Sequence, residues 1–295
     1  MKKLIFIALT VIAAQLTAQT YKTDLVANDA KIVQAGSGYS FTEGPAVAQD
    51  GKVYFTDQPN DRIYVWDEKK GISLWLEGTG RSNGMYFNSR GRLITCADEK
   101  NQLGYFDENK KLIPMHEGFD GKHLNGPNDL WISPKGGIWF TDPYYHRPWW
   151  AEGHKEIQEV KGVYYIAPDG EIKRVIDDFK TPNGIIGTPD GKTLYVADIQ
   201  DNKTWKYDIQ PDGKLANKTF FAPNGSDGMT IDSEGNVYLT SGKVLVYNPK
   251  GELIEEIEFP EQPANVCFGG KKRNILFVTA RKGAYTLEMN VKGVQ

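Results

Sequence analysis

The sequence predicts an all-β fold, a six-bladed β-propeller, and three observations support that prediction. A unit of a polar residue, a mostly apolar run, a turn and a β-rich strand occurs six times along the 295 residues. The turns are rich in Gly, which adopts the positive φ values that tight turns need. No long stretch has the apolar periodicity of a helix. Repeats of about 40 residues with room for four strands are typical of propeller blades.

Each repeat begins with a polar residue that lies eight positions before a turn residue. Successive beginnings are separated by 40, 45, 55, 44 and 38 residues, which leaves room for four strands in every blade. Third strands are predicted at 64–66, 163–165, 205–207 and 244–247, where β-branched and aromatic residues are frequent. The six leading residues are Glu43, Asn83, Asn128, Asn183, Asp227 and Asn265.

The two ends of the chain are predicted to close the ring. Only three strands fit after Asn265, so the last blade lacks an outer strand. The segment 30–34 is strand-like and has no place in blade one. Pairing this segment with the last blade would complete the ring and cover an exposed sheet edge. We therefore expect residues 19–295 to form a single propeller domain.

The first 18 residues have the pattern of a secretory signal peptide. A basic start, Met1-Lys2-Lys3, precedes an apolar run that ends in the small residue Ala18. That run is short for a membrane-spanning helix, and no second run of membrane length follows. We expect cleavage after Ala18, export to the periplasm or outside the cell, and no stable membrane span in the mature chain. An uncleaved anchor is the alternative.

The charge composition excludes a nucleic-acid-binding protein. The chain has 35 Lys and Arg against 38 Asp and Glu, a net charge of −3, and no long basic stripe. Hydrophobic residues make up 40% and charged residues 25%, as in ordinary globular proteins, so a disordered chain is excluded as well. The oligomeric state stays open.

The six leading residues are predicted to form a ring at one mouth of the central channel, because the first strand of every blade lines that channel. All six carry a side-chain oxygen, and none is Lys or Arg. Buried carboxylates need compensation, which a divalent cation would supply. An all-oxygen set suits Ca²⁺, Mg²⁺ or Mn²⁺ better than Zn²⁺. The alternative, that Asn and Asp simply favour turns and strand edges, does not account for Glu43.

Six motifs, taken together in this order, resemble those of the SMP-30/gluconolactonase/LRE family over roughly residues 30–290. These motifs are Glu43-Gly44-Pro45, Leu124-Asn125-Gly126-Pro127-Asn128-Asp129, Phe140-Thr141-Asp142-Pro143, Pro182-Asn183-Gly184, Ser226-Asp227-Gly228-Met229 and Asn265-Val266-Cys267-Phe268-Gly269-Gly270. The resemblance implies a six-bladed propeller with one catalytic divalent cation in the channel. It also implies a carboxylic ester hydrolase whose partner is a small-molecule sugar lactone.

The resemblance places the family's metal ligands on Glu43, Asn183 and Asp227, and Asn128 matches the family asparagine that contacts metal or substrate. We expect one Ca²⁺, with Mg²⁺, Mn²⁺ or Zn²⁺ as alternatives. The hypothesis for the reaction is metal-assisted attack of water on the lactone carbonyl. Asp227 is the candidate general base, or the group that orients the water, and Glu43 is mainly the charged anchor of the cation.

Substrate contacts are predicted at Asn83, Asn128 and His123. Asn83 belongs to the ring, and its alternative role is to hold water in the channel. His123 stands just before Leu124, where family members often carry Arg, so the identity of the lactone stays open. The segment 143–160 is rich in aromatic and polar residues. It is predicted either to cover the pocket as a lid or to pack on the outside of blade three.

One further departure from the family and two other functions stay open. Cys96-Ala97-Asp98-Glu99 stands where many lactonases of the family have Cys-Glu-His, at a position expected to face the substrate. A phosphotriesterase-like hydrolase would use the same ring and cation. A non-catalytic binding propeller is the other alternative, because the fold alone carries no function. It predicts no tightly bound cation and no need for Glu43 and Asp227.

Overall fold

Antiparallel sheets arranged as propeller blades make up the described part of the chain. The computed structural model describes residues 19–295, and the predicted signal peptide over 1–18 lies outside the described residues. Within 19–295 there are 26 strands, one short 3-10 helix and no α-helix. The strands form six four-stranded sheets and one two-stranded hairpin, and the predicted six-bladed β-propeller is confirmed.

The first strand, β1 (Val33–Ser37), precedes blade one. Blade one comprises β2 (Thr42–Val47), β3 (Val53–Asp57), β4 (Arg62–Asp67) and β5 (Gly71–Glu77), with the 3-10 helix Gln58–Asn60 after β3. Blade two comprises β6 (Ser82–Phe87), β7 (Leu93–Ala97), β8 (Gln102–Phe106) and β9 (Leu112–His116). The two-stranded hairpin comprises β10 (Gly118–Phe119) and β11 (Lys122–His123). Blade three comprises β12 (Leu130–Ile132), β13 (Ile138–Asp142), β14 (Gly162–Ile166) and β15 (Ile172–Ile176).

The second half of the ring has the same up-and-down order. Blade four comprises β16 (Pro182–Gly187), β17 (Thr193–Asp198), β18 (Lys203–Ile209) and β19 (Leu215–Ala222). Blade five comprises β20 (Met229–Ile231), β21 (Val237–Ser241), β22 (Lys243–Tyr247) and β23 (Leu253–Ile257). Blade six comprises β24 (Pro263–Gly269), β25 (Ile275–Ala280) and β26 (Gly283–Glu288), to which β1 adds the outer strand.

The N-terminal strand closes the ring, as the sequence predicts. It pairs antiparallel with β26, although it spans 33–37 and the prediction was 30–34. Ala30 and Ile32 pack against the apolar core of blade six instead, ahead of the strand. The hydroxyl of Thr42, at the beginning of β2, donates to the carbonyl of Gly283 at 2.8 Å. This bond joins blade one to blade six beside the closure.

The innermost strand of each blade is irregular where its ring residue lies. In blades one, two, four and six the pairing of the first two strands shifts register at or beside that residue. In blades three and five the innermost strand begins two residues later, at Leu130 and Met229. A bulge bends a strand and re-aims its side chains. The irregularity therefore frees the ring side chains to face the channel.

Apolar packing between neighbouring blades stabilises the ring. The largest buried cluster spans blades three, four and five and includes Trp131, Ile185 and Leu239. The second strand of a blade has a neighbouring sheet on both faces, and Val53 and Phe55 in β3 are fully buried. Apolar area removed from water in this way is the main favourable term for such a fold. None of the helices within 19–295 could span a membrane.

Candidate functional site in the central channel

A pocket of about 410 Å³ opens at the mouth of the channel on which the ring residues lie. Glu43, Asn83 and Asp227 line it from blades one, two and five. Tyr145 and Arg147 line it from the loop that follows β13. The pocket therefore has an acidic floor made by the repeats and one wall made by an insertion.

The two acids of the ring each use one carboxylate oxygen to bind protein groups. Oε2 of Glu43 accepts hydrogen bonds from the backbone N–H of Gly44 at 2.7 Å and from Nδ2 of Asn265 at 3.0 Å. Oδ1 of Asp227 accepts one from Nδ2 of Asn183 at 2.9 Å. Within residues 19–295, Oε1 of Glu43 and Oδ2 of Asp227 have no hydrogen-bond partner. One oxygen of each acid is thus oriented by a ring asparagine, and the other is available to a ligand.

Burial makes both carboxyl groups resist ionisation. It raises the pKa of Glu43 well above the ordinary value, and the negative charge of Asp227 raises it further. Burial also raises the pKa of Asp227 to about 6, although the hydrogen bond from Asn183 lowers it. The charges of Arg147 and Arg281 act in the same lowering direction. Two acids in one buried site disfavour each other's charged form, and a bound cation would remove that penalty.

Two ring asparagines have side-chain oxygens without a partner. Oδ1 of Asn83 and Oδ1 of Asn183 are buried, and no described residue donates a hydrogen bond to either. A buried acceptor left in this state costs about 1–3 kcal/mol. Nδ2 of Asn183 is occupied by Asp227 and by the hydroxyl of Tyr145 at 3.0 Å, so the oxygen is the free end of the amide.

The free oxygens form a donor set that fits a hard divalent cation. Two carboxylates balance a 2+ charge, and neutral amide oxygens complete the ligands that Ca²⁺ and Mg²⁺ prefer. The described residues contain no group of three or more His, Cys, Asp or Glu side chains suited to a metal. Amide oxygens of the ring would therefore have to take part.

Glycines directly after ring residues let neighbouring innermost strands approach each other closely. A Cβ added to Gly228 would lie 1.9 Å from Cγ of Asn265. A Cβ added to Gly44 would lie 1.9 Å from the carbonyl oxygen of Asn83, and Gly44 also has a φ of +46°. Only glycine fits such contacts without movement of the backbone or the ring side chain. The repeated pairing of a polar residue with Gly thus reflects crowding at the channel axis.

Residues 41–282 match the family model described as the SMP-30/Gluconolactonase/LRE-like region. The chain belongs to this family. It is similar to a gluconolactonase of Zymomonas mobilis, with 27% identity over 274 residues that cover 83% of this chain and 77% of the relative. A lactonase of Staphylococcus aureus, drp35, is 30% identical over 236 residues that cover 74% of this chain and 69% of the relative. The solved structure of a gluconolactonase from Xanthomonas campestris is 27% identical, covers 90% of this chain and 91% of that chain, and superposes with a TM-score of 0.84.

In this SMP-30/gluconolactonase/LRE-like propeller, the predicted site residues lie at different depths. Glu43, Asn83 and Asp227 line the pocket directly. Asn183 is 1% exposed and joins the site through its hydrogen bond to Asp227. Asn128 is buried, and its carbonyl accepts from the backbone N–H of Gly84 at 2.8 Å. The predicted contact of its side chain with metal or substrate stays a prediction.

The structure does not bring His123 to this pocket. It is exposed on the short hairpin of β10 and β11, with Nδ1 3.0 Å from the carbonyl of Glu117. There it lines a separate groove together with Trp149 and His154. The hairpin pairs His123 with Gly118 and leaves both residues of β11 exposed to solvent. The basic residue that lines the pocket is Arg147, to which sequence analysis gave no role.

The segment 143–160 combines features of both predicted alternatives. Its beginning supplies Tyr145 and Arg147 to the pocket wall. Its aromatic part packs against blade two instead of the outside of blade three. Nε1 of Trp150 donates to the carbonyl of Asp98 at 2.9 Å, and its ring lies 4.2 Å from that of His154.

Asp129 is a further buried acid near the ring acids, and it is not among the site residues predicted from the sequence. Burial raises its pKa to about 7, and the charge of Asp227 adds to that shift. Its Oδ1 accepts from the backbone N–H of Leu130 at 2.9 Å. The signal was present in the repeat, because Asp129 occupies the position after a ring residue where four other repeats have Gly.

Proposed function

We propose that this chain is a metal-dependent lactonase that opens a sugar lactone in the channel pocket. The observation that carries the proposal is the pair Glu43 and Asp227, two acids in one pocket that each keep a carboxylate oxygen without a protein partner. The similarity to a gluconolactonase and a lactonase over most of the chain supports the lactone as substrate. A binding propeller would have no use for two acids whose ionisation is this unfavourable.

We propose Glu43, Asn183 and Asp227 as ligands of one divalent cation, with Asn128 contributing to the cation or to the substrate. Ca²⁺ is the expected ion because carboxylate and amide oxygens are its usual ligands, and Mg²⁺, Mn²⁺ or Zn²⁺ are the alternatives. When bound, the cation supplies positive charge that polarises the ester carbonyl and offsets the charge that develops on its oxygen.

The chain's own side chains would position the reactants and move the proton. Asp227 is the proposed general base, since a carboxyl group with a pKa of about 6 accepts a proton from water more readily than an exposed one. The hydrogen bond from Asn183 engages Oδ1 of Asp227, so we propose its other oxygen as the group that accepts the proton or orients the water. Asn83, on the pocket wall, is proposed to hydrogen-bond a ring hydroxyl of the lactone.

The proposed location of this activity follows from the basic and apolar beginning of the chain. We propose that residues 1–18 direct export and that the mature chain from Gln19 works in the periplasm or outside the cell. Fractionation of expressing cells, with sequencing of the N-terminus of the exported protein, tests this proposal.

A substrate panel with metal control tests the proposed function. The purified protein is assayed with sugar lactones in a pH-indicator assay, first with a chelator and then with added Ca²⁺. We expect hydrolysis that the chelator abolishes and Ca²⁺ restores. Hydrolysis of a phosphotriester without any lactone would favour the phosphotriesterase alternative. Absence of both a bound divalent ion and hydrolysis would favour the binding propeller.

A further inference from the structure

Arg147 is the only Lys or Arg among the described residues that line the channel pocket. Its Nε donates to Oδ2 of Asp98 at 2.6 Å, and the Asp98 side chain is 1% exposed. Oδ2 of Asp98 also accepts from Nε2 of Gln58 at 3.1 Å. A buried carboxylate with a second donor is a fixed partner, so the guanidinium is held in one place on the pocket wall.

Aromatic rings restrict the guanidinium on other sides. Its central carbon lies 5.5 Å from the ring centroid of Tyr145 and 5.6 Å from that of Trp149. Trp149 in turn lies 5.0 Å from the guanidinium of Arg81. A guanidinium immobilised by rings and a buried acid loses little side-chain freedom when it binds a ligand.

Among residues 19–295, Nε is the one donor group of Arg147 that a protein acceptor binds. Among the described residues, Nη1 and Nη2 have no hydrogen-bond acceptor, and neither is closed off from solvent. The nearby acids do not pair with it, because Asp227 is bonded to Asn183, and Glu43 to Gly44 and Asn265. Two coplanar N–H donors match the two oxygens of a carboxylate.

We propose that the natural substrate is a lactone that bears a carboxylate, and that Arg147 binds this carboxylate. This inference rests on the proposed lactonase function and names its substrate class, the monolactones of sugar diacids. One guanidinium, with no Lys on the pocket wall, suits a monoanion better than a phosphate dianion. Asp98 is a positioning residue, because it acts through Arg147.

The charge of the pocket fixes the orientation of such a substrate. With the cation balanced by Glu43 and Asp227, Arg147 is the cationic side chain left free on the pocket wall, so the substrate carboxylate lies on that wall and the ester carbonyl lies toward the ring. The pocket volume of about 410 Å³ is ample for a six-carbon lactone in this orientation.

A matched pair of lactones tests the proposal. One is a sugar-diacid lactone, and the other is the same ring with hydroxymethyl in place of the carboxylate. We measure kcat/KM for both with saturating Ca²⁺ in wild type and Arg147→Met. Wild type should prefer the acidic lactone, and Arg147→Met should lose roughly 10- to 100-fold on it but much less on the neutral one. Arg147→Lys keeps the positive charge but lacks the two coplanar N–H donors. Its kcat/KM on the acidic lactone should lie between the values of wild type and Arg147→Met.

Arg281→Met is the matched control. Its guanidinium lies 5.8 Å from the ring of Phe41 at the pocket rim, and its charge also lowers the pKa of Asp227. It does not line the pocket, so the ratio of kcat/KM values for the two lactones should stay at the wild-type value. Asp98→Asn should raise KM for the acidic lactone and leave kcat near wild type, which a general loss of stability would not do.

The outcomes separate this inference from the proposed function. If wild type hydrolyses both lactones equally well and Arg147→Met slows both alike, the carboxylate assignment is overturned and the lactonase stands. If wild type hydrolyses neither lactone, both proposals fail. Calorimetric titration with the open-chain diacid gives a second readout: binding by wild type and roughly 10-fold weaker binding by Arg147→Lys support the assignment, and equal binding overturns it.

Discussion

Two sets of buried acids in this propeller differ in the hydrogen bonds that they accept. Asp57, Asp142 and Asp198 end the second strands of blades one, three and four, and each accepts two backbone N–H groups from the segment that enters its own blade. For Asp142 these bonds come from Asn125 at 2.9 Å and Gly126 at 2.8 Å. We call these three residues the strand-end acids. Glu43 and Asp227, the ring acids, each keep a free oxygen instead.

The difference separates folding from function. A strand-end acid satisfies backbone groups that would otherwise be buried without partners, so it stabilises the blade. A ring acid is buried without enough donors, so it destabilises the protein until a ligand arrives. In the sequence, the strand-end acids and the ring acids are both acidic residues near the ends of strands. Only their position within the repeat distinguishes the two sets.

The largest expected effect is on catalysis. Glu43→Gln and Asp227→Asn should each lower kcat/KM for a sugar lactone by about 100-fold or more, because each removes charge from the cation site. In the presence of a chelator, the melting temperature of either variant should equal or exceed that of wild type, since one of two repelling acids is gone. Steady-state kinetics and thermal unfolding check both. Activity within a few-fold of wild type in both variants would end the proposed mechanism.

The opposite pattern is expected for a strand-end acid. Asp142→Asn keeps one acceptor and loses the charged bond to a second N–H, so the free energy of unfolding should fall by about 2 kcal/mol. Urea titration with saturating Ca²⁺ measures the loss. The cation affinity of the folded variant should match wild type, and a large drop in affinity with unchanged stability would contradict the comparison.

Smaller losses of stability and cation affinity are expected when a glycine that follows a ring residue is replaced. Gly228→Ala places a Cβ against the Asn265 amide, which bonds Glu43, so stability should fall by about 1–2 kcal/mol and cation affinity should also fall. Gly184→Ala is the control, because its Cβ would meet the nearest atom, the carbonyl oxygen of Asp227, at 3.0 Å. Gly184→Ala should lose less stability and less cation affinity than Gly228→Ala. Unfolding measures the first and calorimetric titration with Ca²⁺ the second.

A further effect is expected on the pH dependence of stability. Burial raises the pKa of Asp227 to about 6 and the pKa values of Asp129 and Asp142 to about 7, all above the values of an unfolded chain. The stability contributed by their protonated forms is therefore complete below about pH 4 and is lost as pH rises through 6 and 7. Without metal, the protein should therefore be less stable at about pH 8 than at about pH 5.

Saturating Ca²⁺ and the variant Asp227→Asn should each reduce this pH dependence, and the part contributed by Asp142 should remain. The cation compensates the carboxylates, and the variant removes one of them. Melting temperatures across the pH range, with chelator and with Ca²⁺, provide the check. A metal-free protein that gains stability as pH rises would show that the sign is wrong.

The repeat made much of this architecture predictable. Each unit carries its own hairpin signal, so the number of blades, the third strands and the ring follow from local sequence and spacing. Asp129 could also have been predicted from the sequence, because it stands directly after a ring residue, where four other repeats have Gly. Arg147 was not, since it lies in the longest interval between ring residues, where no repeat gives its position. Its place depends on a bond to Asp98, a residue 49 positions away.

The pairing of β1 with β26 joins the first and the last strand of the described residues. Strand β26 leaves the ribosome after all the other described strands, and only then does the outermost strand of blade six have its neighbour. Until then blade six exposes the unpaired edge of β26. Closing the ring also brings together segments that are far apart in the chain, which costs conformational entropy. Completion of the toroid is thus a late step, and an N-terminal truncation past Ser37 should yield a protein that self-associates through β26.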